Sequence, residues 1–302
     1  MMRIGRRGLV AGALSLPGAA RALEPMRGRL AALRYGANLE RWFTIARDQR
    51  SRRLGPAWWS GFRAMGFDHA RIFIPKVQET GTGEEVLGGF AEAVADATAA
   101  GLTVLLGLSD FYHHSSPWGA ADWQALATRA AFFAARTDPG RVALAPINEP
   151  AFPDTATWLP VRDRLLAAVR AKAPRHTLMW GGREWCSPAS LLEAPPPADP
   201  DTVAEAHDYG GGDAAAVRAR FAPLTAWRQR HGIPALVTEM GGSLGHETDI
   251  AAWAADLRQS LPVLRTLELP AALWAYTHGG HWRLQESDGP VLRPQFRQVL
   301  QT

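Results

Sequence analysis

Two glutamates in this chain occupy positions where a reactive carboxylate could be held. Glu149 stands one residue from the end of the stretch RVALAPINEP, residues 141–150, an apolar run that ends abruptly in Asn148-Glu149-Pro150. An apolar run bounded by a turn reads as a strand covered on both faces. Pro150 disfavours helical dihedrals at the residue before it, so Glu149 is expected to be extended, with its carboxylate at the mouth of the strand. The tripeptide taken alone reads equally well as an ordinary turn, since Asn and Pro are turn residues and Glu is usually solvated. Glu239 repeats the pattern: the apolar residues 235–238, ALVT, carry it to a strand end, and Gly241-Gly242 follow closely. Two carboxylates converging on one bond can divide a hydrolysis between them. One protonates the leaving oxygen and the other meets the positive charge left behind.

Such a pair needs a scaffold that brings distant segments together. From Leu30 onward, strand-like and helical runs alternate, with no low-complexity linker to mark a domain boundary. Strands are expected at 33–39, 67–74, 102–108, 141–147, 177–181, 202–206, 235–238 and 271–275. Helices are expected at 85–100, 123–134, 159–172, 214–230, 249–260 and 294–301, with Pro160 tolerable only in a first turn. Eight strand exits spaced as βα units fit a single closed (β/α)8 barrel, the TIM barrel, over residues 23–302. A doubly wound sheet would usually open on a glycine-rich phosphate turn, and no GxGxxG or GxxxxGK[ST] stands at a strand exit. In that ring Glu149 leaves strand four and Glu239 strand seven, nearly opposite one another. A barrel of this size is just wide enough to be filled by side chains, so two glutamates can meet across it. Carboxyls about 5 to 5.5 Å apart would suit a retaining glycosidase, and a wider spacing an inverting one.

Other residues bear on the same site. Arg71 lies in the apolar strand FDHARIFI, residues 67–74, and an arginine there must find a carboxylate or a polar rim. The remaining acids near strand exits, Glu40, Asp110, Glu184 and Asp208, are expected to be solvated in loops. The single cysteine, Cys186, excludes an intramolecular disulfide and is expected to be a small buried or loop residue.

The first 22 residues, MMRIGRRGLVAGALSLPGAARA, have a basic start, a short apolar stretch and an Ala-x-Ala ending. That is the pattern of an export signal, and Arg6-Arg7 points to the twin-arginine kind. The apolar stretch falls short of the roughly 20 residues of a membrane span. The expected destination is therefore the periplasm or the outside of the cell. The full chain has 33 basic and 29 acidic residues, and the four leader arginines account for the whole excess. A mature chain near zero net charge gives no support for nucleic-acid or membrane-surface binding.

The series Gly36-Ala37-Asn38-Leu39, Arg71, Asn148-Glu149-Pro150, His207-Asp208-Tyr209, Thr238-Glu239-Met240-Gly241 and Trp274, in that order, resembles glycoside hydrolase family 5, the cellulase family, across nearly the whole mature chain. The resemblance implies a retaining double displacement, with Glu149 as acid/base and Glu239 as nucleophile. It implies that Asn148 bonds the sugar 2-hydroxyl. Glu149 then needs a raised pKa, which an apolar strand end and a neighbouring carboxylate would supply, while Glu239 must stay ionised. Arg71 offers Glu239 a cationic fork, and Tyr209 a further donor. His207 is either a contact to the acid/base or a structural histidine, and Trp274 is either a platform for a pyranose ring or core. Members commonly carry a histidine at the end of strand three, where this chain has Leu108-Ser109-Asp110 and then, later, His113-His114. The subsite there is a departure.

The family acts on several β-glycans. The expected substrate is a β-1,4-glucan attacked internally, with a β-mannan or another β-glycan as the alternative. No cofactor or metal is implied, and the protein is expected to act as a monomer on a polysaccharide or oligosaccharide. A metal-dependent barrel could draw on His113, His114, His207, His278 and His281, but no His-x-His ends strand one and no HExxH is present. A non-catalytic sugar-binding barrel could use Trp42, Trp118, Trp185 and Trp282, but binding alone does not require Glu149, Glu239, Arg71 and Asn148 together.

Overall fold

Eight parallel strands close into a barrel in the computed structural model of the chain, which describes residues 24–39, 54–74, 84–109, 118–277, 281–287 and 289–301. The strands are β1 (Tyr35–Leu39), β2 (His69–Phe73), β3 (Thr103–Gly107), β4 (Val142–Ala145), β5 (Leu178–Gly181), β6 (Thr202–Asp208), β7 (Ala235–Met240) and β8 (Ala271–Thr277). Each pairs with the next, and β8 pairs back onto β1. Helix α1 (Glu24–Ala32) precedes the barrel. The helices α2 (Pro56–Ala64), α3 (Glu84–Ala99), α4 (Ala120–Ala134), α5 (Thr155–Arg170), α6 (Pro188–Leu192), α7 (Ala214–His231) and α8 (Ile250–Thr266) fall between strands, and α9 (Pro294–Arg297) follows β8. This is the (β/α)8 barrel that the alternating pattern requires.

Side-chain alternation separates two cores. On β2, Ala70 and Ile72 point outward and pack with Trp59, Phe62 and Phe90 from the surrounding helices. The inward set at the base of the barrel is apolar: Leu105, Ala143, Ala145, Met179, Val203 and Leu236. Two residues of α1, Met26 and Leu30, and Leu33 just beyond it join that inner cluster. The helix thereby closes the base, and Arg29 Nε fastens it by donating to the carbonyl of Gly140 at 2.9 Å. With the base filled largely by hydrocarbon, the inward group Asn38, Arg71, Glu205, His207 and Glu239 gathers toward the opposite rim, where the strands end.

The structure departs from the sequence expectation in local ways. Helix α1 was not foreseen, since the alternation of elements was traced only from Leu30. Helix α5 begins at Thr155 and not near 159, because Asp154 caps it by accepting from the Thr157 amide at 2.8 Å. Pro160 therefore lies in the second turn. Its missing N–H deprives only the carbonyl of Ala156, an exposed residue whose carbonyl can turn to water. Strand β6 runs on to Asp208, two residues past its expected end. The export leader, Glu40, Trp42, Asp110, His113, His114 and His278 lie outside the described residues. Among the described residues, no helix is long and apolar enough to cross a membrane.

Candidate active site

Arg71 is the hub of the rim. It projects inward from β2 and is buried, and its guanidinium meets four strand ends. Nη1 donates to Glu239 Oε1 at 2.6 Å and to Asn38 Oδ1 at 3.2 Å. Nη2 donates to Asn148 Oδ1 at 2.9 Å and lies 3.4 Å from Glu205 Oε2. The partner demanded by an arginine in an apolar strand is thus Glu239, as a short charge-assisted bond. Because Arg71 can only donate, Asn148 must present its oxygen to it, which directs the amide nitrogen the other way. Asn38 on β1 is fixed by its own amide, which donates to the carbonyls of Thr238 and Leu273 at 2.9 and 3.2 Å.

Glu239 reaches the interior because β7 carries an irregularity. Glu205 pairs with Leu236 and Ala206 with Val237, but His207 pairs with Glu239, so Thr238 is an extra residue. Strict alternation from inward Leu236 would turn Thr238 inward and Glu239 away. The bulge resets the phase and lets both reach the interior. Thr238 Oγ1 donates to Glu205 Oε2 at 2.9 Å, and Tyr209 donates its hydroxyl to Glu239 Oε2 at 2.6 Å. Both oxygens of Glu239 are therefore bonded.

Glu149 approaches from the exit of β4. It is not extended: its φ is 41°, in the left-handed region, which costs a non-glycine residue about 1–3 kcal/mol. Tertiary structure overrides the local preference set by Pro150. The exits of β4 and β5 form a short antiparallel bridge between Ala151 and Glu184. There Trp185 N donates to Pro150 O and Phe152 N to Arg183 O, both at 2.9 Å. Those bonds turn the chain at Glu149 and aim its carboxylate at His207, whose Nδ1 stands 2.9 Å from Glu149 Oε1 and 3.6 Å from Glu239 Oε2. Each of Glu149, His207 and Glu239 offers an atom within 4.8 Å of the other two. The two glutamates that sequence reasoning placed on facing walls do converge.

Burial governs the charges. It drags the His207 imidazole down to about 4 against the attraction of Glu239, so the ring is neutral near neutral pH. Burial also pushes the Glu239 carboxyl above its ordinary value, with Glu149 adding to the rise, while Arg71 and Tyr209 pull the other way. Arg71 is held charged by Glu205 and Glu239 despite its burial, and the Tyr209 hydroxyl is held protonated. The Cys186 thiol, buried beside Glu205, is likewise held protonated, so this cysteine is an inert packing residue.

All seven residues marked out by sequence lie at this rim. Trp274 is half-buried, with its ring 6.0 Å from that of Phe73, which in turn lies under the Arg71 guanidinium. Two readings need correction. Asp208 is not a solvated loop acid: it is 5% exposed and bidentate to Arg220 at 3.0 and 2.9 Å. Glu205 was missed, although its position two residues before His207 puts both on one inward face of a strand. Glu184 is exposed, as expected, and Trp185 beside it is 45% exposed.

Glu149, His207 and Glu239 are close enough to share a metal ion. The site is a poor fit for one, because both Glu239 oxygens already accept from Arg71 and Tyr209 and a guanidinium stands where a second cation would come.

A family model described as cellulase (glycosyl hydrolase family 5) matches residues 59–280. No protein of curated function matches the chain. Among solved structures, the chain is similar to a hyperthermophilic endo-beta-1,4-glucanase in complex with substrate (TM-score 0.76, 15% identity, 93% of this chain and 99% of that one). It is also similar to endoglucanase Cel5A from Thermotoga maritima (TM-score 0.74, 14% identity, 92% and 99%). A third similar structure is the cellulose synthase subunit Z of Clostridioides difficile (TM-score 0.72, 14% identity, 89% and 99%). At these identities the likeness speaks for the barrel.

Proposed function

The chain belongs to glycosyl hydrolase family 5, the cellulase family, and on that premise we propose that it cleaves β-1,4-glucan chains internally with retention of anomeric configuration. The observation that carries the reading is the closeness of Glu149 and Glu239, whose facing atoms lie within 4.8 Å. Carboxyls about 5 to 5.5 Å apart suit direct attack on the anomeric carbon and leave no room for a water between them.

In the first step a Glu239 oxygen attacks the anomeric carbon as the glycosidic C–O bond breaks. Glu149 gives its proton to the departing oxygen, leaving a glycosyl ester on Glu239 and an anionic Glu149. In the second step Glu149 takes a proton from water, the water oxygen attacks the same carbon, and Glu239 leaves as a carboxylate. Arg71 and Tyr209 hold the nucleophile in one orientation, so little reorganisation accompanies attack. The Asn148 amide nitrogen, turned away from Arg71, would donate to the sugar 2-hydroxyl, and the half-buried Trp274 would supply an apolar face to the ring. The leader-like first 22 residues support action after export.

Proton NMR of the first product released from a cello-oligosaccharide is expected to show the β anomer before mutarotation; an initial α anomer would sink the retaining reading. Rates on carboxymethylcellulose, barley glucan, glucomannan and mannan are expected to be highest on the glucans. A preference for mannan would move the substrate while leaving the chemistry in place.

A further inference from the structure

The double displacement uses two glutamates and leaves a third buried one unexplained. Glu205 projects inward from β6 and is only 1% exposed. Its Oε2 accepts from Thr238 Oγ1 at 2.9 Å and stands 3.4 Å from Arg71 Nη2, and its Oε1 has no hydrogen-bond partner among the described residues. The groups around it come from every neighbouring element: its charge acts on Arg71 from β2, His207 on its own strand and Cys186 from the β5 exit, while on β7 Thr238 bonds it and Glu239 holds the same guanidinium. One guanidinium is therefore shared by two buried carboxylates, Glu239 at 2.6 Å and Glu205 at 3.4 Å. A carboxylate buried this deeply is costly unless a cation answers it, and Glu239 already commands the shorter contact. Apart from Arg71, the partner of Glu205 among the described residues is a neutral hydroxyl, that of Thr238.

We propose that Glu205 is the reserve counter-ion of Arg71, neutralising the guanidinium while Glu239 is tied up as the glycosyl ester. The inference rests on the retaining reading. When Glu239 attacks, its negative charge passes into the new C–O bond, and Arg71 loses the anion it held in the free enzyme. The proton lost by Glu149 leaves a charge there, while Arg71 Nη2 stays bonded to the neutral Asn148 side-chain oxygen. Glu205 remains in place through both steps. It keeps an unbalanced buried cation from opposing the positive charge that develops on the anomeric carbon during formation and breakdown of the ester. In the free enzyme the same anion competes with Glu239 for Arg71, so it also raises the pH at which the nucleophile ionises.

The test uses Glu205→Gln, which keeps the shape and removes the charge, with Glu205→Asp and Thr238→Val as controls that keep it. The substrate is a 2,4-dinitrophenyl β-glycoside of the sugar preferred in the hydrolysis panel, for which breakdown of the ester limits the rate. Wild type is expected to release a burst of one equivalent of phenol. Absence of that burst from wild type would remove the retaining reading itself. Given the burst, Glu205→Gln is expected to keep it, to turn over at least about tenfold more slowly, and to show the acidic limb of its pH–rate profile moved down by about half a unit or more. The limbs of Glu205→Asp and Thr238→Val are expected to stay near that of wild type. A Glu205→Gln enzyme with a lower melting temperature or rate but an unmoved limb would show a purely structural residue and overturn the proposal. So would a limb moved equally by Thr238→Val. Should Glu205→Gln not fold, a wild-type steady-state rate and limb in Glu205→Ser would overturn it, and a lowered limb would support it.

Discussion

The ring of Tyr209 occupies the space that a β-carbon on Gly241 would need. Tyr209 can reach Glu239 only because position 241 has no side chain. Gly241→Ala is therefore expected to displace the phenol and break its bond to Glu239. The cost in kcat is on the order of 100-fold, comparable to other small misplacements of a catalytic group. Loss of that donor also raises the Glu239 pKa, so the acidic limb of the pH–rate profile moves up, and Tyr209→Phe should move it the same way. Paired pH–rate profiles check this, and an unmoved limb in both variants would contradict it.

Arg71→Ala would leave Glu239 and Glu205 buried without a cation. The expected loss of stability is on the order of 3–5 kcal/mol by denaturant unfolding, together with an upward shift of the acidic limb. Arg71→Lys restores the charge without the planar fork. It should recover stability better than it recovers turnover, since one ammonium cannot orient Glu239, Asn38 and Asn148 together.

Two buried histidines make the fold sensitive to acid. Burial holds His207 down at about 4, and burial together with Arg175 and Arg170 does the same for His176, which pairs with Thr137. Both ordinary values are near 6.5, so between pH 6.5 and 4 the unfolded chain binds protons that the folded chain refuses. Stability is full above about 6.5 and falls as pH drops through that window, by on the order of 3 kcal/mol per histidine. Unfolding free energies measured from pH 7 to 4 should show this decline. His176→Gln, remote from the active site, should flatten it by roughly half.

Dialysis against a chelator is expected to leave turnover unchanged, and added divalent cations should not raise it. The oxygens of Glu239 that a metal would need are held by Arg71 and Tyr209. A loss of activity restored by one particular metal would mean that those bonds give way.

The sequence disclosed the barrel and most of its rim because alternation is a two-residue signal, and Arg71 between outward Ala70 and Ile72 announced an inward charge that needed an anion. What stayed hidden depended on contacts between segments far apart. The twist at Glu149 follows from hydrogen bonds between the exits of β4 and β5, which outweigh the preference imposed by Pro150. Asp208 was taken for a solvated acid because nothing local reveals Arg220 twelve residues on, in the second turn of the helix that follows. Glu205 could have been found: in VAEAHD, glutamate and histidine stand two apart in an otherwise apolar strand, the same kind of signal that exposed Arg71. The bulge at Thr238 left no mark in composition and emerges only from the pairing of β6 with β7.

The small helix under the barrel also decides how the molecule can be attached to anything. Helix α1 begins at the pole opposite the mouth of the barrel, since Met26 and Leu30 are lodged among the inner residues at the foot of the strands. A tether, a solid support or a second protein joined there would leave the cleft pointing outward, open to a long polysaccharide arriving from solution.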